Sequence, residues 1–91
     1  MLFQTNYTLV GDRSPAHTKE LMALFAQRGK NPGEIAHYVH VDGSGGTVIS
    51  ENADIGELHD VVLAYSPWME FDIIPIRMID DAVPDLLKYY G

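Results

Sequence analysis

Two histidines three residues apart, His37 and His40, stand just ahead of an aspartate and a glycine-rich turn in the stretch HYVHVDGSGG. Such a set could hold a metal, move a proton, or simply mark a strand entering a hairpin. A chelating pair needs both rings on one side of the backbone. In a strand, residues an odd number apart point to opposite faces, so His37 and His40 cannot share one ion. The helical i, i+4 histidine pair of zinc proteases is absent, and His17 and His59 fall in separate helical segments. Neither a metal nor another cofactor is expected.

His40 remains, with Glu51 across the hairpin. Imidazole titrates near neutrality and a carboxylate can tune it, so this pair could work as a general base and its orienting acid. Arg77 could take a carboxylate or phosphate as a two-pronged donor, while Asn6 and Tyr38 could orient an oxygen-bearing ligand. The expected site therefore has His40 and Glu51 as catalytic groups and Asn6, Tyr38 and Arg77 as ligand-binding groups. Each has a plainer role beside it. His40 could be solvated or bonded across a dimer, Arg77 could pair with Glu51 or with a partner's acid, and Asn6 and Tyr38 could merely line a polar cavity.

Other chemistry finds little footing. Cysteine is absent, which excludes disulfides, thiolate ligands and cysteine nucleophiles. Ser14 reads as a helix cap, Ser44 as a turn residue and Ser50 as a covered strand residue. DGSGG precedes a strand, so a phosphate there would lack the help of a helix N-terminus. Asp80 and Asp81 read as caps for a final helix.

The elements that must position these residues follow from periodicity. Residues 2–10 alternate, with Phe3, Thr5, Tyr7 and Leu9 on one side and Gln4, Asn6 and Thr8 on the other, which makes a strand. Ser14, Pro15 and Gly29 bracket a helix whose apolar face carries His17, Leu21, Leu24 and Phe25. Residues 35–42 and 46–52 read as two strands joined by the turn. Asp54 opens a second helix, with Glu57 three residues on to complete a capping box, and Ile55, Leu58, Val62 and Tyr65 form its stripe. Trp68, after Pro67, reads as a packing anchor. MEFDIIPIRMI is a fourth strand, and DDAVPDLLKYYG a short last helix.

The order βαββαβ is the ferredoxin-like pattern, an α+β fold with helices on one face of a four-stranded antiparallel sheet in the order 4-1-3-2. Pro75 belongs on an edge, where the fourth strand lies. The whole chain, 1–91, is expected to form one domain. Beneath the helices we expect Phe3, Thr5, Tyr7 and Leu9, Ile74, Ile76 and Met78, and Val39, Val41 and Val48. With Asp42 opposite Thr47, the open face would carry Gln4, Asn6, Thr8, Tyr38, His40, Ile49, Glu51, Phe71, Ile73 and Arg77. Large apolar groups on a bare face mark an interaction surface, so a homodimer closing over a partly polar cavity is expected.

Composition sets bounds. Of 91 residues, 46% are apolar and 21% charged, as in a globular chain, and a domain this small is stable alone only by a small margin. The net charge of −7 falls on the second half, where nine acids face only Arg77 and Lys88. A nucleic-acid binder needs the opposite field. No apolar run of membrane-spanning length or signal-like segment occurs, so neither membrane insertion nor secretion is expected and a cytoplasmic location is.

The chain resembles a small uncharacterised family of the dimeric α/β-barrel superfamily. The similarity rests on the MLF start, Arg28–Gly29, HVDGSGG, Glu51-x-x-Asp54 and, above all, FDIIPI from Phe71 to Ile76. Relatives often carry tryptophans in the second helix, where this chain has Val61 and Tyr65. The resemblance implies a ferredoxin-like dimer with a cavity. The wider superfamily includes cofactor-independent monooxygenases, haem-degrading enzymes, isomerases, cyclases and ligand-binding regulators. The leading expectation is a homodimeric small-molecule-binding protein. The alternatives are a cofactor-independent enzyme acting on a small cyclic or aromatic substrate, and a structural association module.

Overall fold

The computed structural model describes residues 1–11 and 13–91. Its elements are β1 (Leu2–Leu9), α1 (Pro15–Arg28), β2 (Glu34–Val39), β3 (Gly45–Glu51), α2 (Ile55–Tyr65), β4 (Met69–Ile76) and α3 (Ile79–Tyr90). All pairings are antiparallel and the strand order is β2-β3-β1-β4. This is the expected 4-1-3-2 sheet read from the other edge, an α+β fold of the ferredoxin-like βαββαβ type with a helix added at the C-terminus.

Local chemistry starts and stops the helices. The Ser14 hydroxyl accepts from the His17 N–H at 3.3 Å, Pro15 occupies the first turn, and Gly29 ends α1 at φ 69°. Asp54 caps α2 by accepting from the Gly56 N–H at 2.9 Å. The capping box is incomplete, because Glu57 accepts instead from the Asn52 amide at 2.8 Å. That amide also donates to the Pro32 carbonyl at 3.0 Å, so Asn52 ties the loop before β2 to the start of α2. Neither Asp80 nor Asp81 caps α3. Met78 holds the cap position without a side-chain bond, and both aspartates sit in the first turn.

Register decides which residues the helices cover. Phe3, Thr5 and Tyr7 lie under them as expected, and Val48 and Ser50 join them from β3. Phe3, Val48 and Leu58 are buried, each contributing on the order of 1.5–3 kcal/mol. In β4 the expected faces are exchanged. Tyr7 pairs with Phe71, Thr5 with Ile73 and Phe3 with Pro75, and directly opposed residues share a face. Phe71 and Ile73 are therefore roofed, while Ile74 and Ile76 join the bare face beside Glu70 and Asp72. Arg77 and Ile79 lie beyond the end of the strand.

The hairpin differs as well. Tyr38, not Asp42, stands opposite Thr47, and residues 40–44 form a longer turn held by Gly43 N–H to His40 C=O at 3.0 Å. The offset is even, so Tyr38, Ile49 and Glu51 keep the face expected of them. Val39 and Val41 are not covered: Val39 is 73% exposed on the edge strand, beyond the reach of the helices, and Val41 belongs to the turn. A bulge between Glu34 and Ala36 adds Ile35 without a partner. It brings Glu34 and His37 onto one face despite their odd separation.

Candidate functional site

The five expected site residues fall into three places. Asn6 sits at the centre of the bare face, where its side-chain oxygen accepts from Gln4 Nε2 at 3.1 Å and from Thr47 Oγ1 at 2.9 Å. His40 closes this row, with Nε2 at 3.2 Å from Thr47 Oγ1 and Nδ1 at 3.0 Å from Ser44 Oγ. Tyr38 lies beside them, 63% exposed. These three residues do come together. Glu51 does not join them: it lies four residues along β3 from Thr47, about 13 Å of strand, and contacts the Met1 amine. Arg77 is elsewhere again, donating to Asp85 Oδ2 at 3.0 Å and to the Asp81 carbonyl at 2.9 Å. The His40–Glu51 couple is therefore not assembled within the chain, and the bare-face row is a polar chain whose members bond one another.

Beneath the helices lies a different arrangement. A cavity of about 60 Å³ opens between the sheet and the two roofing helices, walled mainly by apolar groups such as Phe25, Val48, Leu58 and Phe71. Thr5 and Ser50 line it from β1 and β3, and their buried hydroxyls have no hydrogen-bond partner; Tyr65 lines it from α2, its buried hydroxyl interacting with Arg28. A buried polar group left alone costs about 1–3 kcal/mol, so two beside one cavity form a concentrated deficit.

Tyr7 and His37 complete the wall. Tyr7 Oη lies 2.6 Å from His37 Nε2, a short contact for such a pair. The phenol reaches across β3 because Gly46, opposite Tyr7 in the ladder, has no side chain; a Cβ there would collide with the ring. Behind His37, Glu34 Oε1 lies 3.7 Å from Nδ1 and is itself held by the Asn31 amide at 3.2 Å. The Glu34 carboxylate favours a proton on Nδ1, which leaves Nε2 to accept from the Tyr7 hydroxyl. Phe25 covers the imidazole, ring centres 6.0 Å apart.

Burial pushes the Tyr7 phenol above its usual value, and the Glu34 charge adds to this. Burial also pushes up Tyr65, offset in part by Arg28, whose guanidinium lies 5.8 Å from the ring centre and pairs with Asp60 at 2.8 Å. Both phenols are neutral at physiological pH. The cavity wall thus carries hydroxyls, one imidazole and the Asn31 amide but no carboxylate, lysine or arginine. It suits a small, uncharged, largely apolar molecule with an oxygen function. On the β4 side, Leu58, Val62, Phe71 and Ile73 are shared with an open groove of about 590 Å³, so the small cavity adjoins a larger apolar trough.

Tyr7, His37, Glu34, Thr5, Ser50 and Tyr65 were not among the expected site residues. Alternation places Thr5, Tyr7 and Ser50 on the covered side, and polar groups on a roofed face are the signal the sequence offers. Among the described residues no cluster of three histidine, cysteine or acidic side chains could hold a metal, and no helix is long and apolar enough to cross a membrane.

Fold and cavity together define a small α+β protein with an internal pocket between sheet and helices. The chain belongs to the family described as Domain of unknown function (DUF3303), whose model matches residues 1–89. No curated protein matches it significantly.

Proposed function

We propose that the protein is a homodimeric small-molecule-binding protein whose ligand sits in the roofed cavity and extends into the adjoining groove. The observation that carries this reading is the pair of unpartnered hydroxyls of Thr5 and Ser50, residues that line one cavity. A ligand oxygen would supply the bonds that the chain withholds from itself, and binding would recover the cost of burying them. Homodimer formation is supported by the bare face, where Ile74 is exposed and Tyr38 largely so. A cytoplasmic location belongs to the same proposal, supported by the absence of cysteine.

Phenol is a suitable first probe, being neutral at pH 7, with one hydroxyl on an apolar ring. Calorimetric titration should give a dissociation constant on the order of 1 mM, as expected for so few atoms. The Thr5→Val, Ser50→Ala double variant should bind at least about tenfold more weakly, the loss of roughly one hydrogen bond's free energy. Equal affinity in the variant would remove the hydroxyls from the site.

A second reading, that the protein is a cofactor-independent enzyme, is favoured by the Tyr7–His37–Glu34 line. An acid–base pair with an orienting carboxylate behind it can move a proton to or from a bound hydroxyl or enol. 4-Nitrophenol tests it directly, because its phenolate is coloured. Proton transfer predicts a larger phenolate fraction when bound than in buffer at the same pH, and loss of that excess in His37→Gln. Binding without any excess would leave a binding protein that is not an acid–base catalyst.

A further inference from the structure

The last helix is built to be covered and is not. Along α3, Ile79, Val83, Leu86, Leu87 and Tyr90 recur at helical spacing and form one apolar stripe, yet the helix has no buried residue. Leu87 is 62% exposed and Tyr90 87%. The chain is elongated accordingly, with a radius of gyration of 15.8 Å and a longest dimension of 54 Å. A compact chain of this length would have a radius of about 12 Å.

The same chain carries a vacancy of matching character. The groove between α2 and the edge strand β4, about 590 Å³, is lined by Phe3, Ile55, Leu58, Phe71 and Pro75 among others, with His59 its one polar side chain and no residue of α3. α3 spans about 18 Å and α2 about 16 Å at 1.5 Å per residue, so the two can lie side by side.

We infer that α3 of one protomer docks its apolar stripe into the α2–β4 groove of a second copy, reciprocally, so that each subunit's helix closes the trough leading to the other's cavity. This rests on the homodimer proposed above and gives it a contact surface apart from the bare face. Its own groove is a poor seat for α3. Only Arg77 and Met78 separate the helix from β4, and Arg77 fastens that junction through Asp85 and the Asp81 carbonyl, directing the helix away from its own groove.

The area is sufficient. Ile79, Val83, Leu86, Leu87 and Tyr90 are between 38% and 87% exposed, and five such side chains on one helix face offer an apolar surface on the order of 300–600 Å². Two helices seated in two grooves bury four such surfaces, which reaches the roughly 1,200–2,000 Å² of a stable specific interface. The partner also completes the binding site, since without its helix the apolar end of the ligand would face water.

The absence of native cysteine permits a clean cross-linking test. Leu86→Cys and Ile55→Cys, both at exposed positions, are made as separate full-length chains, mixed and mildly oxidised. The expected result is a disulfide-linked heterodimer in the mixture and far less linked dimer with either chain alone. Placed in one chain, the two cysteines should link between copies and yield a covalent dimer. A monomer with an internal disulfide would show α3 folding back on its own groove and overturn the inference. Sedimentation of the unmodified chain separates the remaining cases. A dimer without the cross-link keeps the homodimer and overturns this contact, whereas a monomer at high concentration overturns both.

Discussion

At the level of single residues, the buried hydroxyls of Thr5 and Ser50 lack partners. Removing such a group without changing its shape should help the empty protein. Thr5→Val, a near-isosteric change, is expected to stabilise the unliganded chain by about 1 kcal/mol, read as a higher urea midpoint. A loss of similar size would reveal a partner for Thr5 Oγ1. The phenols make an opposite prediction at high pH. Tyr7 and Tyr65 are pushed above their ordinary value of 10 on folding, so the folded state holds protons that the unfolded chain releases. Their contribution is intact below pH 10 and is lost as pH rises through the ordinary value and then the folded ones. The difference in urea midpoint between pH 9 and pH 11 should shrink in the Tyr7→Phe, Tyr65→Phe double variant. Alternation alone identified Thr5, Tyr7 and Ser50 as covered. It could not identify Glu34 as the group behind His37, because parity places residues three apart on opposite faces and only the bulge at Ile35 reverses that. Asn6, Tyr38 and His40 were correctly grouped on the bare side, since an even shift of the hairpin preserves faces. Glu51 was misplaced along the strand, because the same shift changes which residues stand opposite.

Among the elements, β4 is the strand whose faces differ from expectation, and its sequence explains why. FDIIPI offers two adjacent isoleucines, so either choice of face covers a large aliphatic group. The charge of Arg77 cannot decide between them, because it lies past the strand's end. Glu70 and Asp72 were the better guide: they share parity with Ile74 and Ile76, and burying two carboxylates under helices costs far more than exposing two isoleucines. The exchange is testable on neighbouring residues. Ile73→Asp should cost more than about 3 kcal/mol, and Ile74→Asp less than about 1, both measured by urea denaturation; the reverse order would restore the original assignment. Gly46 links strand geometry to the site. Gly46→Ala forces a methyl group into the Tyr7 phenol, which should cost about 1–3 kcal/mol and break the bond to His37. Loss of that bond should be read by NMR as a change in the His37 ring resonances.

At the scale of the whole molecule, element order and the edge position of Pro75 were sufficient to derive the sheet order. Neither bears on where α3 goes, because an amphipathic helix at the end of a chain reads the same whether its cover is its own sheet or another copy. Association leaves a thermodynamic trace: a protein stabilised by a partner copy melts at a temperature that rises with protein concentration. A midpoint unchanged over a hundredfold dilution would count against the dimer. The central claim, however, is where the ligand lies, under the helices and not on the bare face. The most direct measurement is a two-dimensional NMR titration of the labelled protein with phenol. Saturable shifts should gather on Thr5, Tyr7, His37, Ser50 and Tyr65, leaving Gln4, Asn6, Tyr38 and Thr47 unmoved. Shifts centred on Asn6, Tyr38 and Thr47, with the roofed residues silent, would contradict it.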